Sequence, residues 1–145
     1  MLDVTTEIVI DRPVARVADY TADPANTPEW YANIKSAAWK SAAIVQTGSQ
    51  IDFVAQFLGR ELRYTYEIVE LVPGERIVLR TAQGPFPMET TYTWSGRENG
   101  STLMSLRNRG EPSGFSRLVA PFMAIAVRAA NRKDLRRLKA LLEQP

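Results

Sequence analysis

Residues 23–31 read Asp23-Pro24-Ala25-Asn26-Thr27-Pro28-Glu29-Trp30-Tyr31, and the two prolines decide how the chain begins. The residue before a proline is pushed out of the α region, so Asp23-Pro24 stops any helix arriving from upstream. Pro28 suits the first turn of a second short helix, where an amide needs no partner. That helix carries Trp30 and Tyr31 toward a core. Working outward, Val14, Val17, Ala18 and Tyr20 keep roughly helical spacing, with Asp11 placed to cap the helix and Pro13 suited to its first turn. Further upstream, Val4, Thr6, Ile8 and Ile10 alternate with Asp3, Thr5, Glu7 and Val9, which predicts a strand with one apolar face. The opening is therefore strand, short helix, short helix.

Downstream of Trp30 the chain reads as hairpins. A two-residue turn at Gly59-Arg60 would pair Phe57 with Leu62, Ala55 with Tyr64, Phe53 with Tyr66 and Ile51 with Ile68, all on one pleat face. Pro73-Gly74 is a type II turn pair; folding there sets Ile68 opposite Leu79 and Tyr66 opposite Thr81. Met88, Thr90, Tyr92 and Trp94 resume the alternation after Gly84-Pro85-Phe86-Pro87. Parity argues against a tight turn at Asn99-Gly100. A longer loop over about residues 96–100 aligns Tyr92 and Trp94 with Thr102, Met104, Leu106 and Asn108. The result is an antiparallel meander with one face rich in Phe, Tyr, Met and Trp, and such a face must be covered.

The cover is residues 113–143. Phe115, Leu118, Val119, Phe122, Ile125 and Ala126 form one helical stripe, and Leu135, Leu138 and Leu142 a second. Ser113 or Ser116 is placed to cap the start. The order of elements, together with the DPxNxPEW turn, resembles the START-like, birch-pollen-allergen-like superfamily (SRPBCC), and within it the polyketide cyclase/dehydrase and lipid-transport group. The resemblance spans the chain and implies one α+β domain over residues 1–145 with a helix-grip fold. In that fold a curved antiparallel sheet of about seven strands, with two short N-terminal helices, holds one long C-terminal helix over a ligand cavity.

Composition narrows the chemistry. A chain of 145 residues with 45% hydrophobic and 23% charged residues supports one globular core. With no cysteine and no histidine, there is no thiol nucleophile, no thiolate or imidazole metal ligand, and no side chain whose ordinary titration lies near neutrality. No metal and no cofactor are expected, and no phosphate-binding glycine loop or paired-carboxylate signature occurs. Asp3 and Glu7 stand where a secretory signal would be basic and apolar, and no apolar run approaches the about 20 residues that span a bilayer. A cytoplasmic protein without stable membrane insertion is expected. Residues 112–145 carry seven basic against two acidic side chains, read as a solvated helix face; no nucleic-acid motif accompanies them.

The inward face nominates the site. Phe53, Tyr64, Tyr66, Leu79, Met88, Thr90, Tyr92, Trp94, Met104 and Asn108 from the sheet, with Phe122 and Ile125 from the helix, are the candidate ligand contacts. Tyrosine and tryptophan offer an apolar body and a polar tip, which suits a pocket holding a ring or acyl chain; the competing reading is a plain aromatic core. Thr90 and Asn108 add uncharged hydrogen-bonding groups, and Met88, Met104 and Met123 adaptable walls. Arg107 and Arg109 project outward. The leading expectation is a binding protein, monomer or homodimer, for a polyketide, lipid, sterol-like or quinone molecule. An alternative is a cyclase/dehydratase acting by orientation and carbonyl polarisation, although an unperturbed tyrosine is a poor base at neutral pH. A protein-interaction or regulatory module is the third.

Overall fold

The computed structural model describes residues 2–111 and 120–145. Seven antiparallel strands form one sheet: β1 (Leu2–Ile10), β2 (Ile34–Trp39), β3 (Gln50–Phe57), β4 (Arg60–Val72), β5 (Arg76–Gln83), β6 (Met88–Gly96) and β7 (Thr102–Gly110). Their spatial order is β1-β7-β6-β5-β4-β3-β2, so the first strand closes on the last. Between β1 and β2 lie α1 (Val14–Ala22), a 3₁₀ turn (Pro24–Asn26) and α2 (Thr27–Trp30), and the chain ends in α3 (Ala120–Leu142). This is the helix-grip architecture that the sequence predicts. Phe115, Leu118, Val119 and the candidate caps Ser113 and Ser116 lie outside the described residues.

The opening folds as read, with one exception. Asp23 Oδ1 accepts from the Ala25 amide at 3.0 Å and starts the 3₁₀ turn. Asp11 does not cap α1. Pro13 takes the N-cap position in extended conformation, with no side-chain cap, and the Asp11 amide donates to Glu143 at the far end of the chain, 2.8 Å away.

The hairpins keep every face and correct one register. The β3–β4 turn is Leu58-Gly59, one residue earlier than expected, and it pairs Phe57 with Arg60, Ala55 with Leu62, Phe53 with Tyr64 and Ile51 with Tyr66. Both central residues have positive φ, 49° and 79°, which a two-residue type I′ turn requires. The pairing therefore slips by two residues, and because side chains alternate with period two no residue changes face. At the next turn Gly74 has φ 74° and the Glu75 amide donates to the Val72 carbonyl at 2.9 Å; Tyr66 faces Thr81 and Ile68 faces Leu79 as expected. The β6–β7 loop is the longer one, with Thr90 opposite Asn108, Tyr92 opposite Leu106 and Trp94 opposite Met104.

The buried stripe of α3 is Met123, Val127, Asn131, Asp134, Leu135, Leu138 and Leu142. Phe122 and Ile125, expected to face the sheet, are 64% and 63% exposed. At roughly 100° per residue they stand about 150° from the centre of that stripe, so a helix seated on its leucines must turn them outward. The C-terminal half of α3 is tied down at several points: Lys139 Nζ donates to the Val9 carbonyl at 3.0 Å, Arg137 Nε to the Glu29 carbonyl at 2.6 Å, and the Ala32 amide to Asp134 Oδ1 at 3.2 Å.

Candidate functional site

The strand ladder sorts the inward face by depth. Successive inward rungs across β1, β7 and β6 are Leu2–Gly110–Met88, Val4–Asn108–Thr90, Thr6–Leu106–Tyr92 and Ile8–Met104–Trp94. Each rung lies about 6–7 Å from the next. A cavity opens between the first of these rungs and α3. It holds about 140 Å³ of free volume, inside a groove of about 950 Å³ that includes open solvent.

Eight sheet residues expected at the site line this cavity: Phe53, Tyr64, Tyr66, Leu79, Met88, Thr90, Tyr92 and Asn108. Met123 lines it from α3, again as expected. Four residues do not. Trp94 and Met104 lie on the inward face but at the closed end, fully in the core; the Trp94 indole donates to Thr21 Oγ1 of α1 at 3.0 Å. Parity places a residue on a face, yet different parts of this face meet different covers: α1 packs over Trp94, while α3 runs along β1 as far as Val9, and alternation does not distinguish the covered part from the open one. Phe122 and Ile125 point away for the reason of helix phase given above. Sequence reasoning also missed Tyr31 and Asn131, both at the cavity wall. A readable signal existed for Asn131: it lies four residues after Val127 on an otherwise apolar stripe.

The aromatic wall is built from contacts between rings. Phe53 stacks on Tyr64 with centroids 5.6 Å apart, Tyr66 meets Tyr64 edge-on at 4.9 Å, and Trp30 meets Tyr92 edge-on at 5.7 Å. Such tilted and offset geometries are the favourable ones for quadrupolar rings. Burial pushes the Tyr66 hydroxyl up to about 12, opposed in part by its bond to Thr90. The same desolvation raises Tyr64 and Tyr92 well above the ordinary phenol value and raises Tyr31 as well. All four are therefore neutral donors at physiological pH.

A directed chain of hydrogen bonds crosses the wall. Thr90 Oγ1 donates to Asn108 Oδ1 at 2.9 Å, so its one proton is used and the Tyr66 hydroxyl, also at 2.9 Å, donates to Thr90. Asn108 Nδ2 donates to the Tyr31 hydroxyl at 2.9 Å, and that hydroxyl donates to Asn131 Oδ1 at 3.4 Å. The chain ends there: Asn131 Nδ2 is buried without a partner among the described residues. No carboxylate lines the cavity, and Arg109 is its one charged side chain among the described residues. Arg107 projects outward as expected and grips Asp3 through two bonds of 2.9 and 2.7 Å. Arg109 reaches Glu89 at 3.6 Å and Asp3 at 3.9 Å while also bordering the cavity, a position the outward reading did not anticipate.

No helix among the described residues is long and apolar enough to cross a membrane. Solved structures with this fold include TTHA0849 from Thermus thermophilus, with TM-score 0.80, 18% identity and coverage of 97% of this chain and 96% of that one. A START superfamily protein from Mycobacterium smegmatis superposes with TM-score 0.75 and 16% identity over 96% of this chain and 98% of that one. The Zhui aromatase/cyclase from Streptomyces sp. R1128 gives TM-score 0.79 and 15% identity over 97% and 93%. Identities this low speak to fold alone. No curated protein matches the chain. The family model described as polyketide cyclase / dehydrase and lipid transport matches residues 1–143, and with that coverage the chain belongs to the polyketide cyclase / dehydrase and lipid transport family.

Proposed function

We propose that this protein binds a small hydrophobic or aromatic molecule in the cavity between the sheet and α3. The observation that carries the reading is the chemistry of the wall: aromatic rings surround the space, and the Tyr64 and Tyr92 hydroxyls, which make no hydrogen bond to any described residue, are not among the side-chain atoms sealed away inside the protein. Polar tips that no protein group satisfies and that stay accessible at an aromatic wall support a ligand that hydrogen-bonds them. The free volume of about 140 Å³ is close to that of an apolar cavity known to accept benzene. One ring or a short acyl chain fits as folded; a sterol-like or multi-ring molecule requires the cavity to widen.

Binding is favoured over catalysis because among the described residues the lining has no carboxylate or other group able to take a proton near neutral pH, and the raised tyrosines are weaker acids than usual. The test is native mass spectrometry of the purified protein, followed by titration with a fluorescent naphthalene dye. A copurifying small molecule, or saturable dye binding displaced by hydrophobic compounds, is the expected outcome. A bare protein that takes up no dye would overturn the proposal.

A further inference from the structure

We infer that the ligand enters with an uncharged carbonyl oxygen leading, and that Asn131 Nδ2 receives it at the inner end of the cavity. This rests on the binding reading above and goes on to specify the ligand's polarity and orientation. Three observations converge. First, α3 lines the cavity with Met123, Val127 and Asn131, at steps of about 6 Å along the helix axis. The next turn supplies Asp134, Leu135 and Leu138, which are buried and do not line it. Asn131 therefore marks the inner end. Second, Asn131 is 2% exposed, and its amide nitrogen has no partner among the described residues. Third, the nitrogen is the free end because the chain of bonds is directed: Tyr31 gives its proton to Asn131 Oδ1 after receiving one from Asn108. The carbonyl side of the amide is occupied, and what remains unmet is a donor.

A buried donor left unmet is costly, and a ligand acceptor in its place removes that cost. The acceptor should be neutral. Arg109, the one charged side chain of the lining among the described residues, stands across the strands from Asp3 and Glu89 and is already engaged by both carboxylates, while Asp134 lies one turn beyond Asn131 on the same buried stripe. A carboxylate at the inner end would meet no unpaired cation of the lining among the described residues and would have an acidic side chain nearby. The fitting class is a compound with a one-ring or short-chain apolar body and a ketone, quinone or ester oxygen.

Acetophenone and ethylbenzene share size and shape and differ in that oxygen. Their affinities are to be measured by NMR titration against the parent protein and against Asn131→Leu, which keeps the branched shape and removes the donor. The parent is expected to prefer acetophenone by roughly tenfold; in Asn131→Leu the preference disappears while ethylbenzene still binds. In the labelled parent, the Asn131 side-chain amide protons should shift with acetophenone and not with ethylbenzene, a readout that stands even if the variant fails to fold. Equal affinity of the parent for both compounds, or a preference that survives in Asn131→Leu, would overturn the assignment of Asn131 while leaving the cavity a binding site. Failure of both compounds to bind the parent would overturn the binding reading itself.

Discussion

The hydroxyls of Tyr66 and Tyr92 face one cavity and differ in what they meet. Tyr66 donates to Thr90 inside the protein; the Tyr92 hydroxyl has no protein partner among the described residues. Tyr66→Phe should thus cost about 1 kcal/mol of stability, and Tyr92→Phe should stay within about 0.5 kcal/mol, as read from urea midpoints. Equal losses would mean that Tyr92 is held like Tyr66. Asp134 offers a second test. Burial holds its carboxyl above the usual carboxylate range, offset in part by the Ala32 amide and by Lys133 and Arg137. In the unfolded chain it ionises at the ordinary value, so the unfolded state loses its proton first and folding is increasingly opposed as pH rises through that window. Asparagine keeps the oxygen that accepts from Ala32 and never ionises. The stability of Asp134→Asn relative to the parent should therefore be greater at pH 7 than at pH 4; a gap of constant width would show that Asp134 titrates normally.

Among the elements, the β3–β4 hairpin carries a visible strain. Leu58 holds φ 49°, a region that costs an ordinary side chain about 1–2 kcal/mol, and its side chain is exposed, so little packing compensates. Leu58→Asn makes the turn Asn-Gly, the preferred type I′ pair. It should raise stability by about 1 kcal/mol, seen as a melting temperature higher by roughly 2–4 °C; a lower melting temperature would mean that Leu58 makes a contact worth more than the strain. The same hairpin explains the register error. Placing Gly at the first turn position is a type II′ reading, whereas the chain uses Gly at the second position and accepts a leucine at the first. The hydrophobic pattern could not arbitrate, because the two registers differ by two residues and bury the same face. In α3, by contrast, the two apolar stripes compete. Phe122 and Ile125 are as apolar as the leucines, but Leu135, Leu138 and Leu142 together with the ties to β1 and α2 set the rotation of the helix.

For the whole molecule, α3 is what turns a sheet into a container, and Leu138 in its last two turns is fully buried. Leu138→Ala should lose about 2–5 kcal/mol through lost contacts and the space left behind, lowering the melting temperature by roughly 5–15 °C. A negligible change would mean that the polar ties alone hold the helix. The alternation of Val4 to Ile10, the Asp23–Tyr31 turn, the Pro73-Gly74 turn and the parity of the last hairpin suffice to read the sheet, its inward face and its topology, because each depends on neighbours within a few residues. The same local rules placed Phe53, Tyr64, Tyr66, Leu79, Met88, Thr90, Tyr92 and Asn108 on the face that borders the cavity. Which part of that face stays open was decided only by the tertiary structure: α1 closes over Trp94, Met104 is sealed in the core, Thr90 and Asn108 are left at the cavity wall, and the rotation of α3 brings Asn131 in and sends Phe122 out. Periodicity determines the face a residue occupies; the packing of a second element against that face, between residues as far apart as Tyr31 and Asn131, determines whether the residue ends in a core or at a cavity.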